Sequence, residues 1–131
     1  MLSDPNQIKI TNQQISAPEI HGNVDAAIQK IMALGIEALI VKRGAKGSSV
    51  ILRSGEVLDV PGFKVEVMNV LGAGDAFASG FIYGYLNNWD WYKCCRMGNA
   101  CGAILVTKPG CSNFNPTLDE AMKFINEKGG F

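Results

Sequence analysis

The sequence predicts an α/β domain with helices layered on a sheet, and three observations carry that expectation. The chain has 131 residues, enough for one modest domain. Its apolar fraction is 47%, and 12 basic residues balance 12 acidic ones, so it can bury a core and does not have the charged, apolar-poor composition of a disordered chain. Finally, helical spacing gives way to short apolar and alternating runs, and these to three further helical segments, the order of an α/β arrangement.

Residues 1–23 differ from the rest. They are rich in Asn and Gln, hold Pro5 and Pro18, and lack helical periodicity, which predicts an irregular or extended lead-in to a domain over 24–131. Within the lead-in, Ile8, Ile10 and Ile15 suit a short alternating strand. Residues 25–34 predict a helix, with Ala27, Ile28, Ile31 and Met32 near helical spacing and Gly35 as its stop. The run 38–41 (Ala-Leu-Ile-Val) suits a buried strand, 48–52 and 56–60 suit a hairpin turning at Ser54-Gly55, and 64–68 alternates like a further strand. Helices are predicted over 73–86, from 90 to about 106, and from 116 to about 126, with Asp90 and Thr117 or Asn115 as N-caps.

Composition excludes several classes of function. A zero formal net charge supplies no footprint for nucleic acid or an anionic membrane. The longest apolar run, 76–86, is interrupted by Ser79, Gly80 and Gly84 and falls short of the roughly 20 residues of a membrane span. Gly80 and Gly84 therefore predict close packing inside a soluble protein. The first ten residues hold Asp4, Pro5, Asn6, Gln7 and Lys9 and no apolar signal region, so a cytoplasmic protein is expected. Cys94, Cys95, Cys101 and Cys111 form no C-x-x-C pair, and the single histidine, His21, is remote; free thiols packed as small hydrophobes are expected. Phe77, Phe81 and Tyr85 recur at i, i+4 as a core stripe, and Trp89, Trp91 and Tyr92 are expected as core anchors at a helix start.

The segment 69–81 (NVLGAGDAFASGF) carries the chemistry. It lies between a predicted strand and a predicted helix. Gly72 and Gly74 allow a tight turn and close approach of the backbone to a ligand. Its N–H groups then lie at a helix N-terminus, where unpaired donors and the helix dipole favour an anion. Asp75, in the first turn, either caps the helix or, beside a bound phosphate, accepts a proton from an attacking hydroxyl. A dinucleotide fingerprint does not fit, because Phe77 occupies its third small position, and Gly44-Ala45-Lys46-Gly47-Ser48 has the residue types of a P-loop in the wrong order. Spacing alone leaves open a second reading, in which the glycines serve packing.

The run Gly72-Ala73-Gly74-Asp75-Ala76-Phe77, followed by Gly80-Phe81, resembles the C-terminal signature of the ribokinase-like (PfkB) sugar kinases. Lys42-x-Gly44-x-x-Gly47 resembles that family's nucleotide-binding turn, and 98–103 with 106–111 resembles the helix and loop around its adenine. Together with Trp89-Asp90-Trp91-Tyr92, this wording is most similar to the branch of the family that acts on a small sugar acid in inositol catabolism. The resemblance runs from about residue 25 to 126. It implies the C-terminal, nucleotide-binding part of a three-layer ribokinase-like fold, with the N-terminal sugar-binding half and lid absent. It implies ATP with Mg2+ as cofactor, an anion hole at Gly72, Ala73 and Gly74, Asp75 as general base, and nucleotide contacts at Lys42, Gly44, Gly47, Asn99 and Gly102. Without the resemblance, Lys42 and Lys46 also read as solvated charges, Gly47 as a hairpin residue and Asn99 as a satisfied helix polar group.

Two departures limit what carries over. Asn69-Val70 stand where the family often has Asp-Thr, which argues against a monovalent-cation site. The nearest counterpart of the family's Asn-x-x-Glu, Asn12-Gln13-Gln14-Ile15, lacks the acid, so no magnesium ligand is named. The resemblance covers less than half of such an enzyme. The sheet is then expected to present an apolar edge, covered by a missing half or by a second copy. Weak or absent transfer by the chain alone is expected, with a non-catalytic nucleotide-binding or structural remnant as the alternative.

Overall fold

Strands Ile8–Asn12 (β1), Ala38–Lys42 (β2), Ser48–Leu52 (β3) and Val57–Val60 (β4) form one sheet in that order, in a computed structural model whose described residues are 8–12, 20–109 and 115–131. β1 runs parallel to β2, with Ile8 opposite Ala38 and Asn12 opposite Lys42; the β2–β3 and β3–β4 pairs are antiparallel. Helix Ile20–Met32 (α1) makes the crossover between the parallel strands, as a parallel pair requires. Helices Ala73–Leu86 (α2), Trp91–Val106 (α3) and Leu118–Glu127 (α4) follow.

Three layers result. On one face of the sheet, Leu39 and Val41 pack with Ile36 against Ile28, Ile31 and Met32 of α1. On the other, Ala38, Ile40, Val50 and Val60 pack against Phe77 and Phe81 of α2 and Cys94 and Cys95 of α3. β2 is covered on both sides, which is why it reads as an unbroken apolar run. α4 lays Ala121 and Ile125 against Met97, Ala100 and Leu105 of α3. Arg96 fastens this helix pair: its guanidinium lies 4.0 Å from the Phe63 ring centre and donates to the carbonyls of Gly130 and Lys128.

α2 and α3 approach closely because glycines face the contact. A Cβ at Gly80 would sit 2.8 Å from the Met97 carbonyl oxygen, and one at Gly98 would sit 2.8 Å from the Phe77 ring. The expected close packing through Gly80 and Gly84 is therefore present. The expected caps are too. The side chain of Asp90 accepts from Lys93 N–H at 2.8 Å, and that of Thr117 from Glu120 N–H at 3.2 Å. Phe77 and Phe81 are core, and among the described residues no helix is long and apolar enough to cross a membrane.

Three expectations need correction. Residues 64–68 are not a strand. They have no ladder partner; Phe63 and Val65 pack against the helices instead, and the N–H groups of Met68 and Asn69 both donate to Val106 O. Phe63 is buried and Val65 half-buried, while Val67 and Met68 are both exposed, so the alternation marks one-sided packing at the start of the segment and no sheet. The first helix spans Ile20–Met32 and not 25–34, starting five residues earlier and ending two earlier, and it runs through Gly22 and Asn23 although both are weak helix formers. Tyr92 is 39% exposed, whereas Trp89 and Trp91 do pack against the core. Ile15 and Cys111 lie outside the described residues.

Burial pushes the Cys94 thiol up to about 12, and Cys95 and Cys101 to about 11, from an ordinary 9.0. Native pKa values above the unfolded value mean that these protonated thiols support the fold below about pH 9 and cease to do so as pH rises through 11–12. Iodoacetamide at pH 8 is expected to spare all three until the chain unfolds, and peptide mapping of alkylated native protein checks this. Gly80→Ala is expected to destabilise by about 1–3 kcal/mol despite its better helix propensity. A lower urea midpoint with an unchanged slope is the readout.

Candidate active site

One end of the sheet carries a row of paired residues: Asn12, Lys42, Ser48 and Val60. The parallel strands β1 and β2 both finish there, and α/β sheets hold ligands outside the carboxyl ends of such strands. Beyond β2, a single 3-10 turn, Gly44–Lys46, returns the chain to β3. Gly47 has φ 98°, and a Cβ on it would fall 2.1 Å from Val60 O and 2.5 Å from Gly62 N. The turn thus lies directly on the backbone of 60–62, an approach that only glycine permits.

Asn99 fastens this arrangement from α3. Its Oδ1 accepts from Ser48 Oγ at 3.0 Å, and its Nδ2 donates to Val60 O at 3.1 Å and Pro61 O at 3.2 Å. The residue is 8% exposed, and both amide protons are engaged. The structure thus gives Asn99 the duty of a satisfied clip between β3, β4 and α3, while one edge of the residue still faces the cleft.

The glycine-rich turn enters from the opposite side. Asn69 Oδ1 accepts from Leu71 N–H at 2.9 Å, an Asx turn that starts the reversal. Gly72 completes it at φ 83°, in the left-handed region. α2 begins at Ala73, and no side chain caps it. Ala73 N–H turns back to Val70 O at 3.2 Å; those of Gly74 and Asp75, at the second and third helical positions, have no acceptor within the helix. The positive end of the helix dipole lies here too.

Lys42 spans from β2 to this turn, with Nζ 3.4 Å from Gly74 O. Burial lowers its pKa, and the nearby charge of Asp75 acts in the opposite direction. Asp75 itself is exposed, beside Gly74; the Ser79 hydroxyl donates to its backbone carbonyl at 3.0 Å.

Between these walls lies a cleft of about 490 Å³. Seven of the expected residues line it: Lys42, Gly44, Gly47, Ala73, Gly74, Asn99 and Gly102. Gly72 and Asp75 adjoin it through their chain neighbours. Ala103 and Val106, from the segments expected around the adenine, line it as well, whereas the wall of Phe63, Val65, Val67 and Val70 is not an expectation of the sequence, which reads 64–68 as a strand. A cleft with one apolar wall and unpaired donors at one end suits a ligand with a flat apolar part and an anionic tail. Among the described residues, no group of three or more His, Cys, Asp or Glu side chains could hold a metal ion, so no protein-built magnesium site is assigned. Gln13, Gln14 and Ile15, and Gly110 with Cys111, lie outside the described residues.

Residues 8–118 match the pfkB family of carbohydrate kinases. A 5-dehydro-2-deoxygluconokinase of Clostridium botulinum is 34% identical over 104 residues, 79% of this chain and 31% of that protein. One from Shouchella clausii is 36% identical over 107 residues, 82% of this chain and 32% of that protein. A ribokinase of Thermotoga maritima aligns with a TM-score of 0.79 at 27% identity, covering 92% of this chain and 42% of that one. An E. coli protein assigned as ribokinase II, solved with ATP and Mg2+, aligns at 0.78 and 29% identity over 92% and 39% of the two chains. The chain thus spans about a third of the length of the curated relatives it matches.

Removing the clip tests its structural duty. Asn99→Ala leaves Ser48 Oγ and two carbonyls without partners and is expected to cost about 2–3 kcal/mol in urea unfolding. Asn99→Asp is expected to cost more, because an ionised carboxylate would face two carbonyl oxygens to which it cannot donate.

Proposed function

The chain belongs to the pfkB family of carbohydrate kinases, and from that premise we propose that it carries the phosphate-gripping, base-bearing part of an ATP-dependent kinase for a hydroxyl of a small sugar acid. One observation supports the reading above the others. The uncapped first turn of α2 presents the Gly74 and Asp75 amides at the end of an apolar cleft, with the Asp75 carboxylate exposed beside them. We take 5-dehydro-2-deoxygluconate as the acceptor, a reading supported by the names of these relatives, and with it propose a place in inositol catabolism in the cytoplasm.

ATP, when bound, supplies the transferable phosphoryl group. The chain's own residues do the rest. The apolar wall takes the flat base and keeps water from the reacting end. Gly44 keeps a side chain out of the space where the nucleotide would lie, Gly47 lets the turn close onto 60–62 beneath it, and Gly102 leaves room on α3. The amides of Gly74 and Asp75 meet the charge that grows on the phosphoryl oxygens, and the helix dipole adds to them. Asp75 would take the proton from the attacking hydroxyl as its oxygen bonds to the terminal phosphorus and the bond from that phosphorus to the departing ADP breaks. The walls that orient the sugar are assigned to protein outside the described elements, in keeping with the third of a relative's length that this chain spans.

The test is phosphorylation of 5-dehydro-2-deoxygluconate by MgATP, in whatever assembly of the protein proves active. Asp75→Asn is expected to lower kcat by about 10²–10⁴-fold and to leave nucleotide affinity unchanged. Near-normal turnover in that variant would remove Asp75 from the chemistry. Thermal stabilisation by nucleotide, with no transfer in any assembly, would mark a nucleotide-binding module instead.

A further inference from the structure

Phe63 is part of the apolar wall of the cleft, yet it is gripped by groups that do not themselves line the cleft. The Arg96 guanidinium lies 4.0 Å from its ring centre, well inside cation–π distance. The Phe124 ring of α4 meets it edge-on, with 5.0 Å between ring centres and 66° between planes. Arg96 is tied in turn: its Nε donates to Gly130 O at 3.1 Å and its Nη2 to Lys128 O at 3.3 Å. Those carbonyls belong to the turn after α4, where Gly129 and Gly130 hold φ of 107° and 82°, in the left-handed region. A Cβ at either glycine would meet nothing, so both serve the course of the backbone and neither serves close packing. α4 is already seated on α3 by Ala121 and Ile125. Seating α4 does not require a guanidinium laid flat on a cleft residue.

We propose that Arg96 is a positioning residue for the apolar end of the cleft: from the turn after α4 it holds the Phe63 ring in the orientation that presents the wall to a flat base. The planar guanidinium suits this work, because it can stack on a ring and donate in its own plane at the same time. Without the clamp the Phe63 side chain has other rotamers open to it, and a ligand that needs the wall must order the ring as it binds. That cost falls on the base. The phosphates meet the amides of the first turn of α2, which Arg96 does not touch. The flat base as occupant rests on the nucleotide reading above, whereas the clamp on Phe63 does not.

Three variants of the full chain test this. Arg96→Met keeps an unbranched stem and removes the guanidinium. Gly130→Ala leaves Arg96 in place and strains the turn that holds it. Ile125→Val thins the contact of α4 with α3 and leaves Arg96 and both carbonyls as they are. Nuclear Overhauser contacts between the Phe63 and Phe124 rings report the clamp in the ligand-free protein. Calorimetry with adenosine, ADP and inorganic tripolyphosphate separates the base from the phosphates. Arg96→Met is expected to weaken the ring contacts, to weaken adenosine and ADP by the same factor, roughly three- to tenfold, and to leave tripolyphosphate unchanged. Gly130→Ala is expected to act in the same direction by a smaller factor. Ile125→Val is expected to lower the urea midpoint and change none of the affinities. Unchanged ring contacts in Arg96→Met would overturn the clamp. A loss for tripolyphosphate as large as that for adenosine, or an equal loss of adenosine in Ile125→Val, would reduce Arg96 to a structural fastener and overturn its positioning role. If the unaltered chain binds neither adenosine nor ADP, the nucleotide reading fails and the role at the base fails with it, while the ring contacts still decide the clamp. If Arg96→Met does not fold, Gly130→Ala against Ile125→Val makes the same comparison.

Discussion

Among the described residues, backbone packs against its neighbours at two glycine contacts where nothing larger than glycine fits. One is the contact of α2 with α3 at Gly80 and Gly98; the other is the crossing of the 44–47 turn over 60–62 at Gly47. The first fixes where the N-terminus of α2 sits above the sheet. The second fixes the floor on which the ends of β2, β3 and β4 meet. Protein interiors are packed too densely to absorb a stray methyl group at such contacts without moving whole elements. The cleft exists because both approaches occur together, one placing its donors and the other its floor.

The charge logic of the site differs from that of the whole molecule. The chain is neutral overall, with 12 basic and 12 acidic residues, so no long-range field draws in a ligand. Attraction is local. It comes from two amides without helical partners, the dipole behind them, and one ammonium held back from water. The apolar wall of Phe63, Val65 and Val67 lowers the local polarity, and charges beside such a wall interact more strongly than in water. Asp75 stays in contact with solvent at the same end. A proton acceptor and charge-stabilising donors on one helix turn form a sensible division of labour for transfer to an alcohol.

Much of this was legible in the order of residues, and the failures share one cause. Helix 73–86, the caps at Asp90 and Thr117, and the apolar strand 38–42 are local facts: each depends on residues within a few positions of one another. Residues 64–68 failed because alternation records which side chains are buried, and hydrogen-bond partnership is a separate matter settled by distant chain. The first helix begins before its apolar periodicity does, and the weak propensity of Gly22 and Asn23 gives no sign of that start. Asn99 showed a residue type suited to a ligand, yet its amide spends both protons on β4 and its loop.

The sequence by itself determined the local chemistry of this protein: a bare turn opening a helix, a carboxylate in its first turn, and a small-residue face on α3. It could do so because turn geometry and unpaired helix amides depend on a handful of consecutive residues. Tertiary structure decided what those parts face. It brought Lys42 to Gly74 across 32 positions of chain, set Asn99 against Ser48 across 51, and turned an alternating segment into a cleft wall. Contacts between distant positions follow from how the layers pack, and no local pattern encodes that.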